Sequence, residues 1–386
     1  MMQRKTGTYR VTNVGGEEVR AFIPRPLPPA EPPLLLDASL QSLLADTNAA
    51  VGRLAVAGKM VSSADWFLYG FVRKEAVISS QIEGTQATLR DVLTFEATKK
   101  SDRPDDVEEV CNYLDALSYA RREISRPKGL PLSMRLLCEA HKRLMRGVRG
   151  AEKEPGQVRR SQNWIGGTRP GNARFVPPPE DEVPTALAGL DQWIHSVDDL
   201  PPLVRAGLAH VQFETIHPFL DGNGRIGRLL VTLLVEHWGL LDSPLLYLSL
   251  ALKRHREEYY TRLSAVRSEG DWEGWTRFFL ECVREAADDG VDTAGKLFSL
   301  LNKDRQKLLN QAKVSIPAVR LLDVLPKHPI VTLPTAMEIL KTTKPTAIKA
   351  IDSLRTAKIL VETTGKQRDR VYAYKNYLAL LTGDTE

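Results

Sequence analysis

The sequence predicts a mainly helical protein with one β-hairpin flap and a small C-terminal unit in winged helix-turn-helix order. Three observations predict it. Apolar residues recur at helical spacing from about Leu34 to Glu285. A Gly- and Pro-rich stretch, residues 155–179, interrupts that pattern once. From about Ser315, three short helical patterns are followed by two β-prone runs around a polar turn.

The elements follow in order. Residues 1–35 hold the run Pro-Arg-Pro-Leu-Pro-Pro-Ala-Glu-Pro-Pro and read as an extended N-terminal arm. Residues 36–110 form an N-terminal helical region, where Phe67, Phe71, Ile78 and Ile82 share one stripe. Residues 111–285 form the core. Val204, Leu208 and Val211 mark one of its helices, and Ile226, Leu229, Leu230, Leu233 and Leu234 another. Within it, Gln162–Ile165 and Ala173–Val176, bracketed by glycines and prolines, read as the flap. Residues 286–314 read as a linker helix with Leu297, Leu300, Leu301, Leu308 and Leu309.

Residues 315–386 give helices at Val319–Leu325, Leu333–Leu340 and Lys344–Ala357, with Pro345 suited to a first turn. Strands at Ile359–Thr363 and Arg370–Tyr374 then form a wing. Between Val331 and Lys375 nine basic residues face four acidic ones. Lys344 and Lys349 on the candidate recognition helix, and Lys366, Arg368 and Arg370 on the wing, are candidate DNA contacts. Such units also serve protein recognition or homodimerisation.

Composition bounds the function. Hydrophobic residues make up 42% and charged residues 26%, which excludes a disordered or fibrous chain. Cys111, Cys138 and Cys282 are too scattered for a disulfide framework or a zinc knuckle, so a cytoplasmic setting is expected. No apolar run reaches the ~18 residues of a membrane span, and no signal peptide is evident. A net charge of +5 is a mild field. Gly52–Met60 departs from a phosphate-binding Walker loop. His210 reads as a packing histidine, and His141, His195, His237, His255 and His328 as structural or exposed.

The chemistry concentrates in His217-Pro-Phe-Leu-Asp221-Gly222-Asn223-Gly224-Arg225-Ile226-Gly227-Arg228. Pro218 ends a helix, and the Asp-Gly-Asn-Gly turn tolerates positive φ. A helix starts directly after it, so its free N–H groups converge on one spot that suits phosphate. Arg225 and Arg228 share the first turn. Asp221 is a hard oxygen ligand of the type Mg²⁺ uses beside phosphate oxygens. His217, with an ordinary pKa near 6.5, suits a general base. Two arginines at a helix N-terminus oppose the helix dipole, an arrangement that makes sense around a bound anion.

These residues fit the pattern H-P-F-x-[D/E]-G-N-G-R-x-x-R at every defined position, and the sequence resembles the Fic family over roughly residues 35–285. The resemblance implies a Fic-type helical core and transfer of AMP from Mg-ATP to a Ser, Thr or Tyr hydroxyl of a target protein, self-modification included. His217 would take the hydroxyl proton, Asp221 would hold Mg²⁺, and the N–H groups of Gly222, Asn223 and Gly224 would cradle phosphate. Arg225 and Arg228 would neutralise the leaving pyrophosphate, with Ile226 and Gly227 in the same nucleotide-binding segment. Tyr259 and Tyr260 would line the adenine side. Arg267 stands where some relatives carry a base-reading Asn. Asn172, Ala173, Arg174, Phe175 and Val176 resemble the target-docking flap.

Ser79-Ser-Gln-Ile-Glu83-Gly84 resembles the family's inhibitory pattern [S/T]-x-x-x-E-[G/N]. Gly84 would cap the helix, and Glu83 would compete with the γ-phosphate for Arg228. The same Glu supports removal of AMP in some relatives. An alternative keeps the fold but makes the chain a DNA-binding regulator whose pocket senses nucleotide.

Overall fold

The computed structural model describes residues 4–60, 64–312, 314–383 and 385. Fifteen α-helices and five strands are found among them. The chain begins β1 (Gly7–Val14), β2 (Glu17–Pro24), α1 (Ala38–Met60), α2 (Ala64–Ile82), α3 (Leu89–Thr98), α4 (Pro104–Ser125) and α5 (Met134–Leu144). It continues α6 (Val183–His195), α7 (Pro202–Ile216), α8 (Asn223–His237), α9 (Leu248–Arg254), α10 (Arg256–Glu269) and α11 (Trp272–Leu309). It ends α12 (Ile316–Val324), β3 (Ile330–Thr332), α13 (Leu333–Leu340), α14 (Lys344–Thr356), β4 (Val361–Glu362), β5 (Val371–Ala373) and α15 (Lys375–Thr382). The chain divides into two compact units, 1–52 with 112–244 and 248–286, and 53–111 with 245–247 and 287–386.

In the first unit, α7 is the central helix. All its residues from Leu203 to Ile216 are buried, as expected of a helix with neighbours on every side. It packs against α8, α6, α10 and β2. In α8, Asn223 and the run from Arg225 to Val235 are buried too. The N-terminal segment is not the extended arm that its prolines suggest. β1 and β2 pair in antiparallel register from Gly7↔Pro24 to Val14↔Glu17. Gly15 and Gly16, at φ 59° and 85°, form the two-residue turn that a hairpin of this kind requires. Pro24 is the last residue of β2, and the other prolines follow it.

The flap is smaller than a full hairpin. One bridge, Ile165↔Phe175, joins its two sides, and a 3₁₀ turn at Pro170–Asn172 forms its tip. Asn172 Oδ1 accepts the amides of Thr168 and Arg169, at 3.0 Å each, so the tip closes on a side chain instead of a ladder.

In the second unit, α12 packs on α14 and α13, and the sheet order is β3-β5-β4. The predicted wing strands are present in shortened form, and β3 is an addition of three residues, too short for alternation to reveal. The predicted linker helix does not begin at 286, because α11 runs unbroken through that position. Tyr374 donates to the fully buried Asp304 at 2.9 Å, which also pairs with Lys307 at 2.6 Å. No helix among the described residues is long and apolar enough to cross a membrane.

Candidate functional site

The site is built at the junction of α7 and α8 in the first unit. Pro218 stops α7, and His217 closes it in the left-handed region (φ 50°, ψ 63°), its amide donating to Phe213 O at 2.9 Å. A non-glycine residue in that region costs on the order of 1–2 kcal/mol. Arg159 holds the turn from behind. Its Nε donates to His217 O at 2.9 Å, and Nη1 to Ser161 O at 3.1 Å. Nη2 reaches Pro178 O at 2.5 Å and Ile216 O at 3.4 Å, and its own amide donates to Pro218 O at 2.9 Å. The side chain is buried, which pushes its guanidinium down to about 10, so it remains charged at neutral pH. A cation against the carbonyls that end α7 also complements the helix dipole.

The loop beyond His217 is tied to the start of α8. Phe219 N donates to Asn223 Oδ1 at 2.8 Å, and Asn223 Nδ2 returns to Phe219 O at 2.7 Å. Asn163 Nδ2 reaches the same carbonyl at 3.2 Å. The Phe219 ring stacks on His141, centroids 3.8 Å apart and planes within 4°. Gly156 N donates to His141 Nδ1 at 2.8 Å, which assigns the proton to Nε2, and Nε2 donates to Asp221 O at 3.0 Å. Burial pushes His141 down to about 4, so it is neutral.

Gly222 (φ 74°) precedes α8, and no side chain caps the helix. The Gly222 amide is not part of the anion cradle, because it donates to Asp221 Oδ1 at 2.6 Å. The amides of Asn223, Gly224 and Arg225 remain as the mouth of the helix. Arg225 and Arg228 are each 2% exposed. Arg225 Nη2 lies 3.5 Å from Met145 Sδ and 3.9 Å from Asp221 Oδ1. Ile226 is fully buried, and a methyl group on Gly227 would collide with the Glu214 carboxylate, so glycine permits α7 and α8 to meet there.

Asp221 keeps a partly exposed carboxylate, with Lys153 Nζ 3.3 Å from Oδ2. No cluster of three or more metal-ligating side chains occurs among the described residues. One carboxylate beside a helix N-terminus that no side chain caps could hold Mg²⁺, which takes few protein ligands and completes its shell with phosphate oxygens and water.

Other expectations separate here. Tyr259 is a core residue, 1% exposed, and its hydroxyl meets His210 Nε2 at 2.8 Å; it does not present itself to a base. The reason is the aromatic packing of His210, Trp275 and Phe278 around it. Tyr260 is 42% exposed. His210 is the packing histidine that was expected, pushed by burial down to about 3. Arg267 lies over the flap's Phe175, 3.9 Å from its centroid, and burial pushes it down to about 10. Asn172 and Arg174 are exposed, Ala173 and Phe175 half-buried, and Val176 buried.

Ser79 and Glu83 lie in the second unit, at the end of α2. Ser79 is fully buried and Glu83 exposed. Gly84 (φ 102°) caps the helix: Gly84 N donates to Gln81 O at 3.0 Å and Thr85 N to Ser80 O at 3.2 Å. Lys344, Lys349, Lys366, Arg368 and Arg370 are exposed in the same unit. Sequence reasoning missed Arg159, His141 and Lys153 as site residues. The only signal was His141 on the apolar face of α5, with Leu137, Ala140 and Leu144.

Fold and site define a helical scaffold that sets a histidine-bearing loop against a cationic helix N-terminus. Residues 41–122 match the Fic/DOC family N-terminal region, and residues 131–235 match the Fic/DOC family domain. Residues 41–235 thus carry the N-terminal region and the domain of the Fic/DOC family in succession. It is 28% identical over 212 residues to the protein adenylyltransferase Fic of Drosophila erecta, covering 54% of this chain and 39% of that one. It is 29% identical over 225 residues to the protein of the same name from Aedes aegypti, covering 56% and 42%. The chain thus spans about two fifths of the length of these curated relatives. A Fic family protein from Desulfovibrio desulfuricans G20 has a similar fold, with TM-score 0.57 and 24% identity over 89% of this chain and 98% of that one.

Proposed function

We propose that this chain is a protein adenylyltransferase that moves AMP from Mg-ATP to a Ser, Thr or Tyr hydroxyl of a target protein, itself included. The observation that carries the reading is the bracing of the loop. Arg159 holds the His217 carbonyl, while the Asn223–Phe219 pair and the His141–Asp221 bond hold Asp221 and the start of α8. Base, metal ligand and anion site therefore keep fixed spacing, which phosphoryl-group chemistry demands.

In this mechanism, neutral His217 accepts the proton of the target hydroxyl. The oxygen attacks the α-phosphorus, the bond to the β-phosphate breaks, and pyrophosphate leaves with the electron pair. Arg225 and Arg228 offset the charge of that leaving group, and the amides of Asn223 and Gly224 orient phosphate oxygens. Mg²⁺, held by Asp221, would supply charge neutralisation to the phosphates. Glu83 restrains the transfer, and it is also the residue to examine for the reverse removal of AMP. Intact-mass spectrometry of Glu83→Gly protein incubated separately with ATP, UTP and GTP tests this. A mass gain of one AMP with ATP alone is expected, larger than in wild type and abolished by His217→Ala. Equal labelling of wild type and Glu83→Gly removes the restraint from the reading.

A second reading concerns the second unit. We propose that its C-terminal helices and three-stranded sheet are a winged helix, whose exposed Lys344, Lys349, Lys366, Arg368 and Arg370 would suit an anionic partner such as DNA. A homodimer contact or protein recognition is the competing use of the same surface.

A further inference from the structure

Within the second unit, the segment that carries Glu83 is tied to the far end of the chain. Gln81 stands two residues before Glu83, and its Nε2 donates to Ala87 O at 2.9 Å and to Thr385 O at 2.9 Å. A side-chain amide nitrogen has two hydrogens, so both bonds form at once. The first closes the loop that follows Glu83. The second joins the end of α2 to a residue just past α15. Two further bonds tie the loop to α4: Thr85 Oγ1 donates to Glu109 Oε2 at 2.7 Å, and Gln86 N to Asp106 Oδ2 at 2.9 Å. Glu83 lies between these ties in sequence, and it is exposed.

α15 itself is seated on α2 and α3. Its Tyr377, Leu378 and Leu381 are buried. The seat on α2 exists because residue 70 is glycine. A methyl group there would come within 3.0 Å of Leu381 Cδ2 and 3.6 Å of the Tyr377 hydroxyl. One turn earlier, the Trp66 ring meets Tyr377 edge-on, with centroids 6.3 Å apart. Glycine inside a helix weakens that helix, and the close approach of α15 is what it permits in return. The seat has one flaw. The Tyr377 hydroxyl is buried and makes no hydrogen bond among the described residues. A donor stripped of water and left unpaired weakens the contact it sits in, so this contact opens more readily than its apolar packing alone would allow.

We propose that α15 and Thr385 form a releasable latch on the helix that ends at Glu83. Seated, the latch positions Glu83 and the restraint holds. Unseated, it lets the 79–88 segment loosen and the restraint lapses. Gly70, Gln81, Tyr377 and Leu381 are then positioning residues, which act on the transfer only through Glu83. The proposal rests on the reading of Glu83 as the restraint.

Hydrogen exchange and intact-mass labelling with Mg-ATP, both on the full-length chain, test it. Gly70→Leu fills the seat of Leu381 while favouring the helical state of α2 itself. It is expected to speed exchange in 375–383 and in 79–88 together, and to raise the AMP gain at least about fivefold. Leu381→Ala loosens the same contact from the other side and is expected to act alike. Tyr377→Phe removes the unpaired hydroxyl, so it is expected to slow exchange in both segments and to label no more than wild type. In a Glu83→Gly background, each substitution is expected to change labelling by less than about twofold. Faster exchange in 375–383 with 79–88 unmoved overturns the proposal, and so does unchanged exchange in both loosening variants. Equal effects on labelling with and without Glu83 overturn it too, because they mark a merely structural role. If the two segments loosen together but Glu83→Gly labels no more than wild type, the restraint reading fails and the seating of the 79–88 segment by α15 stands.

Discussion

Lowering the pH from 7.5 to 5 is expected to weaken the first unit by about 4 kcal/mol through two histidines. Burial holds His141 at about 4 and His210 at about 3. A histidine in an unfolded chain titrates near 6.5. Between those values the unfolded state binds a proton that the native state refuses, so stability rises with pH across the window. It is fully present above about 6.5 and is lost as the pH falls, levelling off near each folded pKa. At pH 5, about 1.5 units below the free value, each imidazole has lost about 2 kcal/mol. The structural cause is plain at His141. Its Nδ1 accepts the Gly156 amide, so a second ring proton would set one N–H against another and break that bond. For a domain of this size, about 4 kcal/mol corresponds to roughly 8–16 °C in melting temperature. The assay is thermal unfolding by circular dichroism at pH 7.5, 6.5 and 5, in wild type and in His141→Gln. The glutamine amide keeps one acceptor and one donor but does not titrate, so its acid loss is expected to be about half. Identical acid losses in the two proteins refute the role given to His141.

Three further outcomes are expected. Arg159→Met strips the donor from four carbonyls and is expected to cost about 3–5 kcal/mol in urea unfolding. It should lower kcat with little change in the ATP KM, since the residue braces the His217 backbone and touches no nucleotide; a raised KM at constant kcat contradicts this. Asp221→Asn is expected to weaken ATP binding at least about tenfold in Mg²⁺ and little in its absence, read by calorimetry. For the second unit, duplex DNA affinity is expected to fall with salt at a log–log slope near −0.9 per phosphate contact, and Lys366→Glu with Arg370→Glu to flatten it by roughly 2. A salt-independent affinity, or none, assigns the surface to protein contacts.

The His217–Arg228 segment was legible because its parts are consecutive. Histidine, carboxylate, glycines and arginines lie within one turn and the helix it feeds, and local spacing is what a sequence displays directly. Arg159 and His141 act on the same loop from 58 and 80 residues away. Their own surroundings signal only burial, which most core residues share. The first hairpin was written in Gly15-Gly16 and in the alternation around Val19 and Ala21, but the prolines after Ile23 outweighed it. Tyr259 shows the reverse case. Resemblance placed it at a base, and its aromatic neighbours, scattered from residue 210 to 278, withdrew it into the core.

The same comparison separates residues that serve folding from residues that strain it. Arg159 at the end of α7 follows the helix dipole, and its four carbonyl bonds account for its burial. Arg225 and Arg228 stand at the opposite kind of helix end, where each cation is disfavoured by roughly 0.3–1 kcal/mol, and both are nearly inaccessible to water. His217 adds a left-handed backbone to the same turn. Three unfavourable features in one loop are sustained by the Asn223–Phe219 pair within it and by two braces from outside it, the neutral His141 and the Arg159 clamp. A packing optimum would have no reason to gather such costs in a single place. Under the proposed function those costs have a use, because a polyphosphate at the mouth of α8 would be met by the helix N-terminus and by two cations held in place beforehand.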